Sequence, residues 1–542
     1  MKRLIVLLVL AIVATACGSN ASDELTTTTA SSTSGTGASG TTSPTATTEP
    51  PMDRTPSGTL TIAHGIDIDR MDPQTQATAA VMGILSMMVE TLVSLTPEGT
   101  IEPLLATSWE ASDDGKVYTF ELRDGVTFSD GEPFNAAAVE FSLERLVSPD
   151  TVNAAPNVLA VIDSVDVIDD LTVAVNLNNP FPPFISAITL PLAAITSPAA
   201  ATVAPNTPEQ IVQPVGTGPY VFEELVPGDH ISMTANLDYW GALPAYEQQI
   251  FLAVPEASSR VALLRSGGAD VIVNPPAVEL SVLRDDPDIN VINADSAYVT
   301  QIVVNNATVS DPTIRRALNY AVDREQIIDA VLFGAGSGLD APIPSFIAGH
   351  CATDDWFEYD PDRAKELLAE AGASNLSLKM VSPEGRYFQD YAVAEAVAGM
   401  FRAVGLNVEL ANPLDFPTYL SEVMVPPAEA TSDLRLLGWG TLYNEASQAL
   451  LQFQSDQHPP NGFNATYSDI PGYDALVAEA SSIVDDADRF ATYCEALNLL
   501  VEYAPTVWLY SESLPIVTSD QVTGVYGLSN LMYITTWAEP TS

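Results

Sequence analysis

The chain has 542 residues, 46% of them hydrophobic and 17% charged, a composition typical of a globular protein with more than one hydrophobic core. Seventy acidic residues against twenty basic residues give a formal net charge of −50, so nucleic acid and anionic lipid surfaces are not expected partners. The charge could attract cationic ligands or could only keep the surface hydrated. The spread of the acids along the whole chain favours the second interpretation.

The first 17 residues have the parts of an export signal. Two basic residues precede an apolar run from Leu4 to Val13, and small residues stand directly before Cys17. A membrane-spanning helix needs about 20 apolar residues, so this shorter run predicts a signal peptide covering residues 1–17. Residues 18–57 are mostly Thr, Ser, Gly, Ala and Pro, which predicts a disordered linker.

The segment from Leu104 to Ser142 contains three Asp-Gly turn signals. Between the first two lies a strand, Val117–Leu122, with alternating apolar residues on one face. The second arm of a hairpin is predicted at 126–128. Asn135 is then placed to cap the following helix.

The second half of the chain is predicted to be rich in helices. Asp-Pro pairs at Asp311 and Asp360 supply an N-cap and a first-turn proline for two of them. Asp323 and Gln326 have the spacing of a capping box. An amphipathic pattern over 485–502 predicts one more helix.

These segments closely resemble the family 5 extracellular solute-binding proteins of ABC importers, which include dipeptide, oligopeptide and nickel binders. The segment 104–142 is similar to the family signature, and Val215–Tyr220 matches its Gly-Thr-Gly-Pro-Tyr motif. One departure is Ala138, where the family signature has an acidic residue. The resemblance implies an α/β protein with the two-lobe periplasmic-binding-protein fold of type II, in the large cluster that carries an extra subdomain.

The resemblance also implies how the lobes divide along the chain. Lobe one comprises residues 58–302, with the extra subdomain, and residues 509–542. Lobe two comprises residues 303–508. The chain would cross between the lobes near 298–305 and 507–511, and these two crossings would form the hinge.

The segment after Leu437 is similar to the family's pocket motif, a Gly-Trp pair followed three residues after the Trp by an aspartate. In the peptide binders this aspartate pairs with the ligand's α-amino group, whereas Leu442 stands at that position here. We therefore expect ligands with a free ammonium group to bind weakly unless another acid replaces the missing one. The candidate ligand-binding residues of this segment are Trp439, Thr441, Tyr443 and Glu445.

The carboxylate, the aromatic rings and a nearby arginine could each contact a different part of the ligand. Glu445 could supply a displaced carboxylate, and the aromatic rings could stack on the ligand or make cation–π contacts. Ordinary core packing is the alternative for the aromatic rings. Arg386 lies near the position at which dipeptide binders place an arginine for the ligand carboxylate, and Tyr387 follows it. Both are therefore added as ligand-binding candidates.

Signatures of catalysis or metal binding are weak in the sequence. The four histidines are far apart, and neither a Gly-x-Ser-x-Gly elbow nor a His-Glu-x-x-His helix occurs, so no enzyme activity, cofactor or metal is predicted. His350 and Cys351 with two nearby aspartates are adjacent on one loop, which is a poor metal-binding pattern. Cys351 and Cys494 could form a disulfide in an exported protein, or Cys494 could be a buried thiol.

The small residues ahead of Cys17 resemble the lipobox of bacterial lipoproteins, with Ala14 in place of the usual Leu. Together, the resemblances predict a monomeric substrate-binding protein, lipid-anchored through Cys17 in the periplasm or on the outer face of the cell membrane. It would present a small solute, peptide or peptide-like, to an ABC permease and ATPase. The alternatives are a cell-surface solute sensor with the same fold and a secreted hydrolase, the latter disfavoured by the missing catalytic groups.

Overall fold

The computed structural model describes residues 54–541 except 69, 77, 150, 152–157, 201–210, 212 and 354. The predicted signal peptide, Cys17 and most of the predicted linker lie outside the described residues. Within the described ranges, no helix is both long enough and apolar enough to span a bilayer.

The strands are, in chain order, β1 (Thr59–His64), β2 (Val93–Leu95), β3 (Ile101–Pro103), β4 (Ala106–Ala111), β5 (Val117–Leu122), β6 (Ile162–Asp169), β7 (Thr172–Leu177), β8 (Tyr220–Val226), β9 (His230–Ala235), β10 (Gln248–Ala253), β11 (Val271–Val273), β12 (Ile289–Val304), β13 (Gly336–Ser337), β14 (Ser377–Val381), β15 (Asn407–Leu410), β16 (Leu434–Trp439), β17 (Thr506–Ser519), β18 (Val522–Thr523), β19 (Tyr526–Gly527), β20 (Tyr533–Ile534) and β21 (Glu539–Pro540).

The α-helices are α1 (Ala79–Leu85), α2 (Ala136–Val147), α3 (Phe184–Ala187), α4 (Ala257–Ser266), α5 (Leu280–Arg284), α6 (Pro312–Tyr320), α7 (Arg324–Ala330), α8 (Pro361–Glu370), α9 (Asp390–Ala403), α10 (Phe416–Val423), α11 (Ser447–Leu451), α12 (Tyr473–Ala480) and α13 (Asp486–Tyr503).

The main sheet is mixed and runs in the order β15-β14-β16-β12-β17-β11-β1-β10-β9-β8, with β13 beside β17. We call the part with β11, β1, β10, β9 and β8 lobe one, and the part with β16, β14 and β15 lobe two. The long antiparallel strands β12 and β17 belong to both parts, and we call them the shared strands. The α/β class and the two-lobe organisation predicted from the sequence are both observed.

The register of the shared strands changes where the lobes meet. Residues 289–295 of β12 pair with 513–519 of β17, and the end of β17 also pairs with β11 of lobe one. Residues 299–304 of β12 pair with β16 of lobe two on one side, and residues 299–303 still pair with 506–511 of β17 on the other. A register shift separates Asp295 from Val299. Each shared strand therefore passes from one lobe into the other at this irregularity.

A separate antiparallel sheet, β4-β5-β7-β6, packs against α2 and forms the extra subdomain. The alternating residues of β5, Tyr118, Phe120 and Leu122, are buried as predicted. The predicted hairpin partner at 126–128 is wrong, because that segment makes only an isolated bridge from Thr127 to Pro133. Strand β5 pairs with β4 and β7 instead, since these longer strands complete the buried face.

The predicted helix starts are confirmed by their caps. The side chain of Asn135 accepts a hydrogen bond from the backbone N–H of Ala138 at 3.1 Å. Asp311, Asp323 and Asp360 cap α6, α7 and α8 in the same way. Each cap satisfies a backbone donor that the first helical turn leaves without a partner.

Cys351 and Cys494 form a disulfide, which answers the alternative left open by the sequence. It ties the loop before α8 to α13 across a sequence separation of 143 residues. Cys351 is therefore not free to bind a metal, and the neighbouring His350 places Nε2 at 2.9 Å from Oδ1 of Asp340. Nowhere in the described part of the chain do three or more His, Cys, Asp or Glu side chains form a group that could hold a metal ion.

Candidate functional site

A cavity of about 710 Å³ lies where the two lobes and the shared strands meet, and we call it the interlobe cavity. Lobe one contributes His64 at the end of β1 and Tyr533 of β20, and the shared strands contribute Tyr298 and Glu512. Lobe two contributes the loop 385–388 that precedes α9. The volume is in the range of small-ligand sites, which commonly measure about 300–1,000 Å³.

The lobe-one wall carries buried polar atoms without partners. Both ring nitrogens of His64 and the hydroxyl of Tyr533 have no hydrogen-bond partner among the described residues, and the two side chains are 2% and 1% exposed. Burial, together with the charge of Arg260, lowers the pKa of His64 to about 4, so this ring is neutral at pH 7. A buried polar group left unpaired costs about 1–3 kcal/mol, so the wall of the cavity holds hydrogen-bonding groups that this conformation does not satisfy.

Arg386 and Tyr387, both predicted as ligand-binding residues, line the interlobe cavity. The guanidinium of Arg386 lies 5.0 Å from the ring centre of Phe416 and 5.4 Å from that of Tyr387. It donates no hydrogen bond and makes no ion pair with any residue that the structure describes. This cation is therefore available to an anionic group of a ligand.

Asp390 holds the loop that carries Arg386. Its buried carboxylate accepts hydrogen bonds from the backbone N–H groups of Gly385, Arg386 and Tyr387 at 3.1, 2.9 and 3.1 Å. Gly385 has φ of +82°, which favours glycine and lets the loop turn tightly around the carboxylate. The position of Arg386 thus depends on a buried charge at the start of α9.

Glu512 is a cavity residue that the sequence analysis missed. The residue is 8% exposed, and Oε1 accepts a hydrogen bond from Oγ1 of Thr300 at 2.6 Å. Burial raises the pKa of Glu512 to about 7, although the hydrogen bond from Thr300 and the charge of Arg386 act in the opposite direction. The available signal was its position as the single charged residue between 503 and 519.

Trp439 and Thr441 lie at a different place, around a small cavity of about 10 Å³. The indole N–H of Trp439 donates to the carbonyl oxygen of Gln448 at 3.4 Å, and its ring packs against Phe463. The hydroxyl of Thr441 is buried with no partner in the described residues. About 10–15 Å³ is the space of one water molecule, so this conformation leaves no room for a solute there.

The glycines beside Trp439 connect this segment to the interlobe cavity. A Cβ atom on Gly438 would lie 2.6 Å from the ring of Tyr387, and one on Gly440 would lie 2.5 Å from the ring of Tyr298. Both rings line the interlobe cavity. The Gly-Trp motif therefore shapes the cavity through its backbone, because only glycine permits this approach of the two rings.

Tyr443 and Glu445 are buried outside the interlobe cavity. Tyr443 packs with the core of the extra subdomain, with its ring centre 6.0 Å from that of Phe181. Glu445 is 4% exposed and accepts hydrogen bonds from Arg489 and from the hydroxyl of Tyr493. Their role in ligand binding stays a prediction, and a ligand would have to compete with these contacts to reach them.

The site and the fold together define a class of protein. Two lobes share two antiparallel strands, and a ligand-sized cavity with unpaired polar groups lies at the crossing. This is the arrangement of a type II periplasmic binding protein. A family model described as bacterial extracellular solute-binding proteins, family 5 middle, matches residues 100–461. The chain belongs to this family, and it has the role of a substrate-binding protein for an ABC importer.

Relatives and solved structures agree with this assignment. The glutathione-binding protein GsiB of Pectobacterium atrosepticum is 29% identical over 478 residues, covering 87% of this chain and 92% of the relative. HbpA2 of Haemophilus parasuis matches with a TM-score of 0.79 and 25% identity, covering 90% of this chain and 100% of that structure. A dipeptide-binding protein of Pseudoalteromonas, solved with Met-Leu, matches with a TM-score of 0.72 and 23% identity, covering 89% and 100%. The family 5 homologues are extracytoplasmic proteins.

Proposed function

We propose that this protein binds a peptide or peptide-like solute in the interlobe cavity and presents it to the permease and ATPase of its importer. The observation that carries the proposal is the set of unsatisfied groups on opposite walls of one cavity. His64 and Tyr533 of lobe one have buried polar atoms without partners, and Arg386 of lobe two lines the same cavity with an unpaired guanidinium. A peptide carries both a carboxylate for Arg386 and amide groups for the polar wall.

Two kinds of relatives support the peptide class. The curated relative is named for glutathione, which is a tripeptide, and one structural neighbour was solved with the dipeptide Met-Leu. A guanidinium can bind a carboxylate through two parallel hydrogen bonds, which fixes the orientation of the bound chain end. We therefore place the ligand carboxylate at Arg386. The ring of Tyr387, next to this guanidinium, would form part of the wall around the bound carboxylate.

We also propose that the lobes close on the ligand by bending of the shared strands. The register shift between Asp295 and Val299 supplies an irregular segment in β12 at which the chain can bend. The predicted lobe boundaries at 302/303 and 508/509 lie within β12 and β17, a few residues from this irregularity. Spectroscopic labels on exposed positions of β8 and α8 should approach one another when ligand is added. An unchanged distance at saturating ligand would contradict closure.

We further propose that the mature protein is a monomer tethered to the membrane by lipid on Cys17. The lipobox-like residues before Cys17 and the polar segment 18–57 support this proposal. Replacement Cys17→Ala should move the protein from the detergent phase to the aqueous phase in a phase-partition experiment. Equal partitioning of the variant and the wild type would contradict the anchor.

The binding proposal is tested by isothermal titration with Met-Leu and glutathione, and by mass spectrometry of ligand that co-purifies with the protein. Arg386→Gln should weaken peptide binding at least tenfold. Arg363→Gln is the matched control, because Arg363 lies on the exposed surface of α8 and makes only surface ion pairs. The peptide affinity of Arg363→Gln should stay within twofold of the wild-type value. A co-purified solute that is not a peptide, with no binding of either peptide, would overturn the proposed ligand class.

A further inference from the structure

The charged groups that line the interlobe cavity differ in how well they are satisfied. Arg260 donates hydrogen bonds to the backbone carbonyl oxygens of Val254, Pro255, Val273 and Asn274, at distances of 2.5–3.0 Å. The guanidinium of Arg260 therefore uses its hydrogen-bond donors on the backbone of lobe one. Arg386 and Glu512 make no ion pair with any residue in the described ranges, although the charge of Arg386 acts on Glu512. One cation and one anion thus line the same cavity without contacting each other.

Glu512 has no partner that balances a negative charge. The hydroxyl of Thr300 donates to Oε1, and the close approach of Gly438 leaves Oε1 only 3.2 Å from the position of a Cβ there. Asp390, the other buried carboxylate nearby, is satisfied by backbone N–H groups, whereas Glu512 has this one hydroxyl. Burial of a carboxylate without a cation is unfavourable, and such a group in a cavity is a candidate for ligand binding.

A purely structural role explains Glu512 less well. The bond from Thr300 lies at the register shift, where Glu512 itself has no partner in β12, but backbone pairing of β12 with β17 resumes directly beside it at Ser511 and Tyr510. A neutral acceptor such as glutamine would accept the same hydrogen bond without a buried charge. The carboxylate also lies on the shared strands, within reach of a ligand whose other end contacts lobe two. The Glu512 carboxylate can therefore form an ion pair with a cationic group at that end of a ligand.

We propose that the carboxylate of Glu512 binds the ammonium group of the ligand, opposite the carboxylate end that Arg386 binds. This inference rests on the proposed function and narrows it to dipolar peptides with a free amino terminus. Glu512 would then be the acid that replaces the aspartate missing at Leu442, from another strand of the fold. The weak binding expected from Leu442 alone would not occur.

The test compares Met-Leu with N-acetyl-Met-Leu, which has the same side chains and carboxylate but no ammonium group. Affinities are measured by calorimetry at pH 7.5 for wild type, Glu512→Gln and the control Glu395→Gln, an exposed acid on α9. Glu512→Gln should weaken Met-Leu binding at least tenfold and change N-acetyl-Met-Leu binding less than twofold. Glu395→Gln, which removes the same charge from the surface, should change neither affinity by more than twofold.

A second readout does not depend on the acetylated peptide. Titration of Met-Leu in two buffers of different ionisation enthalpy at pH 6.5 should show proton release by wild type and none by Glu512→Gln, because a bound ammonium favours the charged carboxylate. Equal effects of Glu512→Gln on both peptides, or better binding of the acetylated one to wild type, would overturn the inference and leave the peptide function standing. If wild type binds neither peptide, the proposed function fails, and the inference fails with it.

Discussion

Glu445 and Arg489 are joined by two hydrogen bonds in a nearly solvent-free setting. Nε of Arg489 lies 3.2 Å from Oε1, and Nη2 lies 3.1 Å from Oε2. The hydroxyl of Tyr493 adds a third hydrogen bond to the carboxylate, at 2.9 Å. The acid nearest to the missing aspartate in the sequence is thus already balanced by a cation from α13.

The first prediction follows from this pair. Glu445→Gln should lower the free energy of unfolding by about 1–3 kcal/mol, because it removes the buried counter-charge of Arg489 and leaves its guanidinium with only the exposed carboxylate of Asp486, at 2.7 Å. Urea denaturation measures the change. Glu366→Gln is the control, since its pair with Arg363 is exposed and should contribute about 0–1 kcal/mol. Equal stability changes in both variants would contradict a buried structural pair.

The same variant also tests the ligand role predicted for Glu445. If Glu445 only balances Arg489, Glu445→Gln should leave the ratio of Met-Leu to N-acetyl-Met-Leu affinity unchanged. A selective loss of Met-Leu binding would instead support the sequence-based prediction and shift the ammonium site away from Glu512.

Much of the fold could be predicted because its signals are local. The caps at Asn135, Asp311 and Asp360 depend on residues within one helical turn, and all three occur as expected. The partner of β5 could not be predicted in this way. Alternating apolar residues locate a strand, but its neighbours are set by a buried face that β7 completes about fifty residues later.

The residues of the candidate site also differ in whether a local sequence signal could predict them. Arg386 was found from its neighbours in sequence and its likeness to dipeptide binders, and it does line the interlobe cavity. His64, Tyr533 and Glu512 were missed, because what marks them is burial of a polar group without a hydrogen-bond partner or, for Glu512, without a cation. That property arises only when β1, β20 and β17 come together. The aromatic residues near Trp439 gave a local signal, yet the structure places their side chains outside this cavity.

The second prediction concerns the disulfide. The double variant Cys351→Ser with Cys494→Ser should unfold about 2–5 kcal/mol more easily, because the bond closes a loop of 143 residues and restricts the unfolded chain. Thermal unfolding with and without reductant measures this effect. Reductant should lower the Tm of wild type and leave the double variant unchanged. A wild-type Tm that does not respond to complete reduction would contradict the prediction.

The third prediction concerns Asp390 as a positioning residue for Arg386. Asp390→Asn replaces one acceptor oxygen by a donor, so it cannot accept all the backbone hydrogen bonds of loop 385–387. We expect Met-Leu affinity to fall about tenfold because Arg386 is no longer held towards the cavity, a loss of about 1.4 kcal/mol. The measurement is calorimetric titration of each variant.

A matched ligand separates positioning from general damage. Met-Leu amide lacks the carboxylate, so its affinity should change little in Asp390→Asn, and the preference for Met-Leu over the amide should shrink. Glu395→Gln, on the same helix but exposed, should keep the wild-type preference. A uniform loss for both ligands would show that Asp390 stabilises the lobe without orienting Arg386.

The last prediction is a pH dependence of stability that originates at Glu512. Burial raises its pKa from 4.5 to about 7, so between these values the folded protein holds a proton that the unfolded chain has lost. The contribution of this proton to the free energy of unfolding is fully present below about pH 4.5 and is lost as the pH rises towards 7. Glu512→Gln cannot titrate. The variant should therefore exceed wild type by less than about 1 kcal/mol near pH 5 and by at most about 3 kcal/mol at pH 8.

The groups around Glu512 do not mimic this behaviour. The neighbouring tyrosines have raised pKa values, so they stay neutral throughout the window. The charged and titratable groups that face Glu512 are Arg386, Asp390, Tyr298, Tyr387 and Tyr510. Asp390 is common to both proteins, so its contribution is removed when the variant is compared with wild type.

Urea denaturation of wild type, Glu512→Gln and Glu395→Gln at pH 5, 6.5 and 8 measures the difference at each pH. The gap between Glu512→Gln and wild type should widen with pH, whereas the gap for Glu395→Gln should stay flat because that carboxylate is exposed. Saturating Met-Leu at pH 8 should remove the advantage of Glu512→Gln, since the ammonium then balances the wild-type charge. A gap that is constant with pH would contradict the raised pKa of Glu512. If Glu512→Gln stays more stable than wild type with Met-Leu bound at pH 8, the carboxylate of Glu512 does not bind the ammonium group of the ligand.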